Sequence, residues 1–142
     1  MADDLSEVTA EVSLVVTSAD LAVAWDRDLP AIASHGFYVS LAELASHEAA
    51  TALLQAFQTT ASLEVSVRTL GQCTQGMLVT ANATIFRRVH GDLHFSVEIS
   101  SGGEQIAHVT HRRAVVNRVR FAQRASQKSG WITSPATERE TS

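Results

Sequence analysis

The chain has 142 residues, a length that fits one domain able to bury a core without disulfide or metal support. With 11 basic and 15 acidic residues it carries a net charge of −4. This balance argues against nucleic acid as a partner, because phosphate binding needs a basic surface. The single cysteine, Cys73, excludes an internal disulfide and favours a reducing cytoplasm. No apolar run approaches the about 20 residues that span a bilayer, so no membrane partner is expected.

Charge is unevenly spread along the chain. Residues 1–50 hold nine acidic side chains and one basic one, whereas residues 51–142 hold six acidic and ten basic ones. A local basic patch in the second part is therefore compatible with the acidic total. The composition also predicts disordered ends at residues 1–6 and 125–142, around a single domain over residues 7–124.

The first predicted element is a strand over residues 7–17, where apolar and polar side chains alternate with period two. Residues 18–25 suit a short capped helical turn, and residues 26–34 suit a loop. Residues 36–58 contain no proline and are rich in alanine and leucine. That composition predicts one long helix of about six turns.

Four more strands are predicted in the rest of the chain, from stretches in which apolar and polar residues alternate. They cover residues 63–68, 77–86, 93–99 and 105–121. The connections at 89–92 and 101–103 contain glycine and suit tight hairpin turns. Because the second of the four stretches has apolar side chains on both sides, it suits a central strand.

The order of these elements is strand, long helix and four antiparallel strands, which predicts an α+β domain. One helix can cover one face of such a sheet. The other face then needs a partner, so the sequence predicts a homodimer, with assembly into a tetramer left open.

The same order is typical of the hotdog fold, in which a curved antiparallel sheet wraps one long central helix. Residues 35–43 (HGFYVSLAE) resemble the helix-entry motif of hotdog acyl-CoA thioesterases. Residues 69–81, from Thr69-Leu70 to Thr80-Ala81, and residues 110–116 (THRRAVV) resemble blocks of the fluoroacetyl-CoA thioesterase-like branch. The resemblance covers residues 7–124. It implies hydrolysis of an acyl thioester of coenzyme A or of an acyl-carrier protein, at sites between two subunits.

For that branch the resemblance implies a triad of a threonine before the helix, a glutamate on the helix and a histidine after the second strand. The glutamate corresponds to Glu43, but the threonine position holds His35 and the histidine position holds Thr69. His35 followed by Gly36 resembles other hotdog thioesterases, of the 4-hydroxybenzoyl-CoA and phenylacetyl-CoA types, in which the glycine amide polarises the thioester carbonyl. The expected catalytic residues are therefore Glu43, His35 and Thr69, although a histidine before a helix and a threonine at a strand end more often have only a structural role.

Thioester hydrolysis needs a hydrogen-bond donor for the carbonyl oxygen, and a base or a nucleophile. The free amides of Gly36 and Phe37 at the helix start are the expected donors, although Gly36 could instead only ease the turn into the helix. Glu43 is the expected base or nucleophile, although its place beside the solvent-facing stripe also suits a surface glutamate. His47, one turn after Glu43, could act as its partner, but the preferred interpretation is that it only lines the helix edge.

Arginines near the end of the domain are candidates for binding the phosphates of coenzyme A. On one continuous strand Arg112, Arg118 and Arg120 would share a face, with Arg113 pointing the other way. A solvated strand face or a salt-bridge network between subunits explains these arginines equally well.

No cofactor is expected. His108 and His111 would point to opposite faces of one strand, which argues against a metal site shared between them. Thioester hydrolysis is the leading hypothesis. A non-catalytic hotdog protein that binds acyl thioesters or scaffolds a pathway complex is the alternative, favoured by the threonine at position 69. A hotdog hydratase would show an Asp and His motif that the sequence lacks.

Overall fold

The computed structural model describes residues 8–127; the predicted disordered ends lie outside them, apart from residues 125–127. The strands are β1 (Thr9–Val15), β2 (Gln58–Thr69), β3 (Leu78–Val89), β4 (Asp92–Ser101) and β5 (Glu104–Asn117). Helix α1 spans His35–Ala50, and a second helix, α2, covers residues 118–127. Short 3₁₀ turns lie at Ser18–Asp20, Ala22–Ala24 and Thr51–Leu53. Within residues 8–127 no helix has the length and apolar character needed to cross a membrane.

The five strands form one antiparallel sheet in the order β1-β3-β4-β5-β2. Strand β3 is therefore internal, as its two-sided apolar pattern predicts. Each hairpin turn holds two residues with positive φ, His90 and Gly91 in one and Gly102 and Gly103 in the other. This backbone geometry matches the twist of the flanking strands. The predicted arrangement of one long helix on an antiparallel sheet is confirmed.

Helix α1 packs against all five strands and buries one face in the core. Its buried side chains are bulky near the start of the helix and small towards its end: Phe37, Tyr38, Leu41, Ala42, Ala45, Ser46, Ala49 and Ala50. They pack with inward side chains of the sheet such as Ile85, Phe95 and Val109. The small residues let the second half of the helix lie close to the sheet, as dense core packing requires.

Helix α1 ends at Ala50, so the prediction of one helix to residue 58 was wrong. Thr51 Oγ1 donates a hydrogen bond to the carbonyl of Glu48 at 2.6 Å, and the chain leaves the helix through a 3₁₀ turn. Residues 52–56 have high helix propensity, but β2 begins at Gln58, which pairs with Asn117 of β5. Sheet pairing overrides local propensity here.

The last strand ends at Asn117, although the alternation predicts a strand to residue 121. Asn117 Oδ1 accepts the backbone N–H of Arg120 at 2.9 Å, an N-cap arrangement that starts α2. Arg118 and Arg120 therefore lie on a helix. The prediction that they share a strand face with Arg112 was wrong.

The sheet face away from α1 is mostly polar, and many of its side chains bond to one another. Ser13 Oγ and Thr80 Oγ1 are 2.7 Å apart, and Ser96 Oγ and His108 Nε2 are 2.9 Å apart. The prediction of a homodimer assumed that this face needs a cover. A polar face of this kind tolerates solvent and does not by itself require a second subunit.

Candidate functional site

The start of α1 holds three of the predicted site residues, His35, Gly36 and Phe37. The carbonyl oxygen and Oγ of Ser34 accept the N–H of Phe37 at 3.0 and 3.4 Å, which caps the helix. The Phe37 amide is therefore already engaged, and its prediction as a free donor was wrong. The Gly36 N–H has no acceptor within residues 8–127. It borders a depression of about 270 Å³ that Trp25 and Ser40 also line.

Glycine at position 36 is not required by the chain's own geometry. A Cβ built there meets only Ser34 Oγ, at 3.5 Å, which is an ordinary contact. Its φ is not among the positive ones of residues 8–127, so the backbone conformation suits any residue. The interpretation that Gly36 only eases the turn into the helix therefore finds no support in local packing.

His35 and Thr69 are brought into direct contact, although 34 positions separate them: His35 Nε2 lies 2.7 Å from Thr69 Oγ1. Both side chains are exposed, one in the first turn of α1 and the other at the end of β2. The ring of His35 also meets the ring of Tyr38 edge-on, with centroids 6.4 Å apart. A histidine and a threonine thus lie side by side, with their positions exchanged relative to the expected triad.

Glu43 lies two turns further along α1, half-buried, and borders a separate open cleft of about 450 Å³. The cleft is lined by Ser40, Glu43, Leu44, His47, Thr59, Thr60 and Arg113. Within residues 8–127 no basic group lies within 4.0 Å of the Glu43 carboxylate. Gly36 and Glu43 share a helix face but are about 10.5 Å apart along the axis. One copy of the chain therefore does not bring His35, Gly36 and Thr69 together with Glu43.

Arg113, predicted only to point away from the other arginines near the end of the domain, lines this cleft. Only 7% of its surface is exposed. Its Nε donates to Thr60 Oγ1 at 2.8 Å, and its Nη2 donates to the Thr60 carbonyl at 3.1 Å. Burial lowers the pKa of Arg113, and the negative charge of Glu43 acts in the opposite direction. The charges of Glu43 and Arg113 therefore interact electrostatically without forming an ion pair.

Beneath Arg113 lies the buried side chain of His111, which bonds at both ring nitrogens. Nε2 lies 3.4 Å from Arg113 Nη1 and 3.0 Å from Ser62 Oγ, and Nδ1 lies 3.1 Å from Ser46 Oγ. Because arginine can only donate, we assign Nε2 as the acceptor and Nδ1 as the protonated nitrogen. Burial, and then the charge of Arg113, lower the pKa of His111 to about 4. His111 is therefore neutral near pH 7.

His47 belongs to the same polar cluster, with Nδ1 2.6 Å from Thr60 Oγ1. Burial, and then the charge of Arg113, lower its pKa. The prediction that His47 only lines the helix edge missed this contact. A sequence signal for the cluster exists, because period two places His111 and Arg113 on the same strand face as the core residue Val109.

The arginines predicted to bind coenzyme A lie apart from one another. Arg112 is on the outer face, where Nη1 lies 2.9 Å from Asp92 Oδ2 and Nε lies 3.5 Å from Glu64 Oε1. Arg118 donates to the Gln58 carbonyl at 3.1 Å. Arg120 borders a shallow cleft of about 200 Å³ on α2. In the described part of the chain no three His, Cys, Asp or Glu side chains cluster as metal ligands would.

Comparisons with known proteins agree with the observed fold. Among solved structures the fluoroacetyl-CoA thioesterase FlK is 22% identical, with a TM-score of 0.79 over 90% of this chain and 98% of that one. A Thermus thermophilus hypothetical protein, a thioesterase superfamily member, is 18% identical, with a TM-score of 0.81 over 94% and 99%. A hot-dog-like protein from Thermanaerovibrio acidaminovorans is 16% identical, with a TM-score of 0.77 over 89% and 97%. These likenesses confirm the hotdog fold.

No curated protein matches the chain. The family model described as fluoroacetyl-CoA-specific thioesterase matches residues 16–119, which is most of the sequence and includes every predicted site residue except Arg120. This relationship supports thioester hydrolysis as the general chemistry. The chain therefore belongs to the fluoroacetyl-CoA-specific thioesterase family.

Proposed function

We propose that this protein hydrolyses acyl thioesters of coenzyme A or of an acyl-carrier protein, with Glu43 as the general base. The observation that carries this proposal is the Glu43 carboxylate, which borders an open cleft and has no ion-pair partner within residues 8–127. A carboxylate that is free of strong partners can accept a proton from water. A merely structural glutamate at the edge of a buried cluster would be expected to pair with the nearby arginine.

In the proposed reaction Glu43 removes a proton from water while the water oxygen attacks the thioester carbonyl carbon. Negative charge develops on the carbonyl oxygen and needs a donor that is already in place. The carbon–sulfur bond then breaks, and the leaving thiolate takes up the proton held by Glu43. The products are a carboxylic acid and a free thiol, and Glu43 returns to its starting form.

The Gly36 amide is the proposed donor to the carbonyl oxygen. It is the second residue of α1, where an N–H group has no partner inside the helix and the helix dipole favours negative charge. The chain's own packing does not require glycine at this position. The missing side chain leaves room for a ligand to approach the backbone. Phe37 is not included, because Ser34 already occupies its amide.

We further propose that the working site forms between two copies of the chain. Gly36 and Glu43 are about 10.5 Å apart along one helix, too far to act on the same carbonyl group. Two antiparallel helices related by a two-fold axis would place Glu43 of one copy opposite Gly36 of the other. A homodimer, or a tetramer built from such dimers, thus follows from the separation of the two groups.

The contact between His35 and Thr69 gives these residues a proposed role at the helix start. Thr69 Oγ1 holds Nε2 of His35, so the ring has a defined orientation next to Gly36. From there His35 can orient the thioester or donate to its carbonyl oxygen. Among the arginines, Arg118 and Arg120 are the better candidates for the phosphates of coenzyme A, because Arg112 is already paired on the outer face.

The test is release of free thiol from a panel of acyl-CoA thioesters by the wild type, Glu43→Gln and Glu48→Gln. Glu48 is the matched control, because it is an exposed glutamate on the same helix. Wild-type turnover that falls at least about a hundredfold in Glu43→Gln alone would support the proposal. Equal activity of the three proteins would refute the role of Glu43. A folded wild type without thiol release, but with binding of acyl thioesters, would favour the non-catalytic alternative.

A further inference from the structure

Arg113 carries a buried positive charge without a carboxylate partner. It is 7% exposed, and within residues 8–127 no Asp or Glu oxygen lies within 4.0 Å of its guanidinium. Its hydrogen-bond partners are a hydroxyl, a carbonyl and an imidazole, all uncharged. Burying a charge in this way is costly unless a counter-ion arrives with another molecule.

Three of the five guanidinium N–H groups are engaged by Thr60 and His111. Two N–H groups remain, and Arg113 lines the cleft of about 450 Å³. The planar guanidinium fork matches a carboxylate, which can accept two parallel hydrogen bonds. Thr60 holds the fork in place, so little freedom is lost when an anion binds.

The other titratable groups near Arg113 do not cancel its charge. His111 beneath it and His47 beside it both have lowered pKa values, so both imidazoles are uncharged near neutral pH. Arg118 adds positive charge, which reaches His47. Glu43 is the one acidic residue that lines the cleft. Glu43 acts on the charge of Arg113 but forms no ion pair with it, so Arg113 still presents a positive charge to the cleft.

We infer that Arg113 recognises a carboxylate at the far end of the acyl group, so that the preferred substrates are thioesters of short dicarboxylic acids. This inference rests on the proposed function, which places the thioester carbonyl beside Glu43, in the cleft that Thr60 and Arg113 also line. An acyl chain ending in a methyl group would leave the buried charge uncompensated in the same position. The discrimination thus arises from an unpaired charge in the free enzyme.

Kinetic tests compare two pairs of thioesters, malonyl-CoA with butyryl-CoA and glutaryl-CoA with hexanoyl-CoA. In each pair a terminal carboxylate takes the place of a terminal ethyl group, so the acyl groups have similar length. We expect wild-type kcat/KM to be at least about tenfold higher for the better dicarboxylic substrate than for its neutral match. In Arg113→Met this preference should disappear, mainly through a higher KM, and Arg113→Lys should keep part of it. Arg88→Met, at an exposed position on β3, should retain it. A wild-type preference for the neutral substrates, or equal losses for all substrates in a folded Arg113→Met, would overturn the inference.

A binding measurement separates this inference from the proposed hydrolysis. Calorimetric titration with glutarate and with hexanamide, which has no carboxylate, reports on the carboxylate site without turnover. Glutarate should bind the wild type more tightly than hexanamide, and Arg113→Met should lose the difference. Preferential binding of glutarate by a protein that releases no thiol would contradict the proposed function and support the anion site. Thiol release without any preference for glutarate would contradict the anion site alone.

Discussion

Acid should destabilise this protein through His111, and the structure sets the size of the effect. His111 is 1% exposed, and its pKa falls from 6.5 to about 4 on folding. Between these pH values the unfolded chain binds a proton that the folded chain excludes. The contribution of His111 to stability is therefore complete above about pH 6.5 and is lost as the pH falls to about 4. At about 1.36 kcal/mol per pKa unit, the complete loss is about 3 kcal/mol. Between pH 7 and 4.5 it is about 2 kcal/mol.

The perturbation is His111→Gln, because an amide can still donate and accept hydrogen bonds but does not titrate. Urea unfolding at pH 7 and at pH 4.5 gives the free energy of unfolding of both proteins. Carboxylates contribute to the loss of unfolding free energy in acid in both proteins. The difference between the two losses therefore gives the contribution of His111. We expect the variant to lose about 2 kcal/mol less than the wild type.

The control for this experiment is Val109→Ala, which lies two residues before His111 in β5 and is fully buried. It should lower the free energy of unfolding by a similar amount at both pH values, since it removes apolar contacts and no titrating group. If His111→Gln loses as much unfolding free energy in acid as the wild type does, the prediction is wrong. It would mean that His111 takes up its proton in the folded state at little cost.

Two further predictions concern the core and the helix start. Leu41→Ala should lower the free energy of unfolding by about 2–5 kcal/mol in urea titrations, because Leu41 is fully buried, whereas Leu44→Ala, at an exposed position, should cost less than about 1 kcal/mol. His35→Gln and Thr69→Val should each lower kcat/KM for thiol release by about tenfold. The double variant should be about as active as the less active single variant, because the two side chains act through one contact. Losses that multiply in the double variant would show that they act independently.

The fold was largely predictable because its signals are local. Period-two alternation identifies β3 and β4, and glycine marks the hairpin turns, where positive φ is needed. The errors lie at two boundaries where long-range pairing or a cap competes with propensity. Residues 52–56 favour a helix, but the pairing of Gln58 with β5 ends it early. Asn117 caps α2 within a stretch whose alternation suits a strand.

Residue order along the chain identifies the candidate site side chains: a glutamate on a helix, a glycine at its start and a histidine beside it. Which of these side chains come into contact depends on the tertiary structure. The contact of His35 with Thr69 spans 34 positions, and that of His111 with Ser46 spans 65. Alternation along β5 could place Arg113 on the inner face, but not beside Thr60 and across the cleft from Glu43. Contacts of this kind depend on how strands and helix are packed together, which local periodicity does not encode.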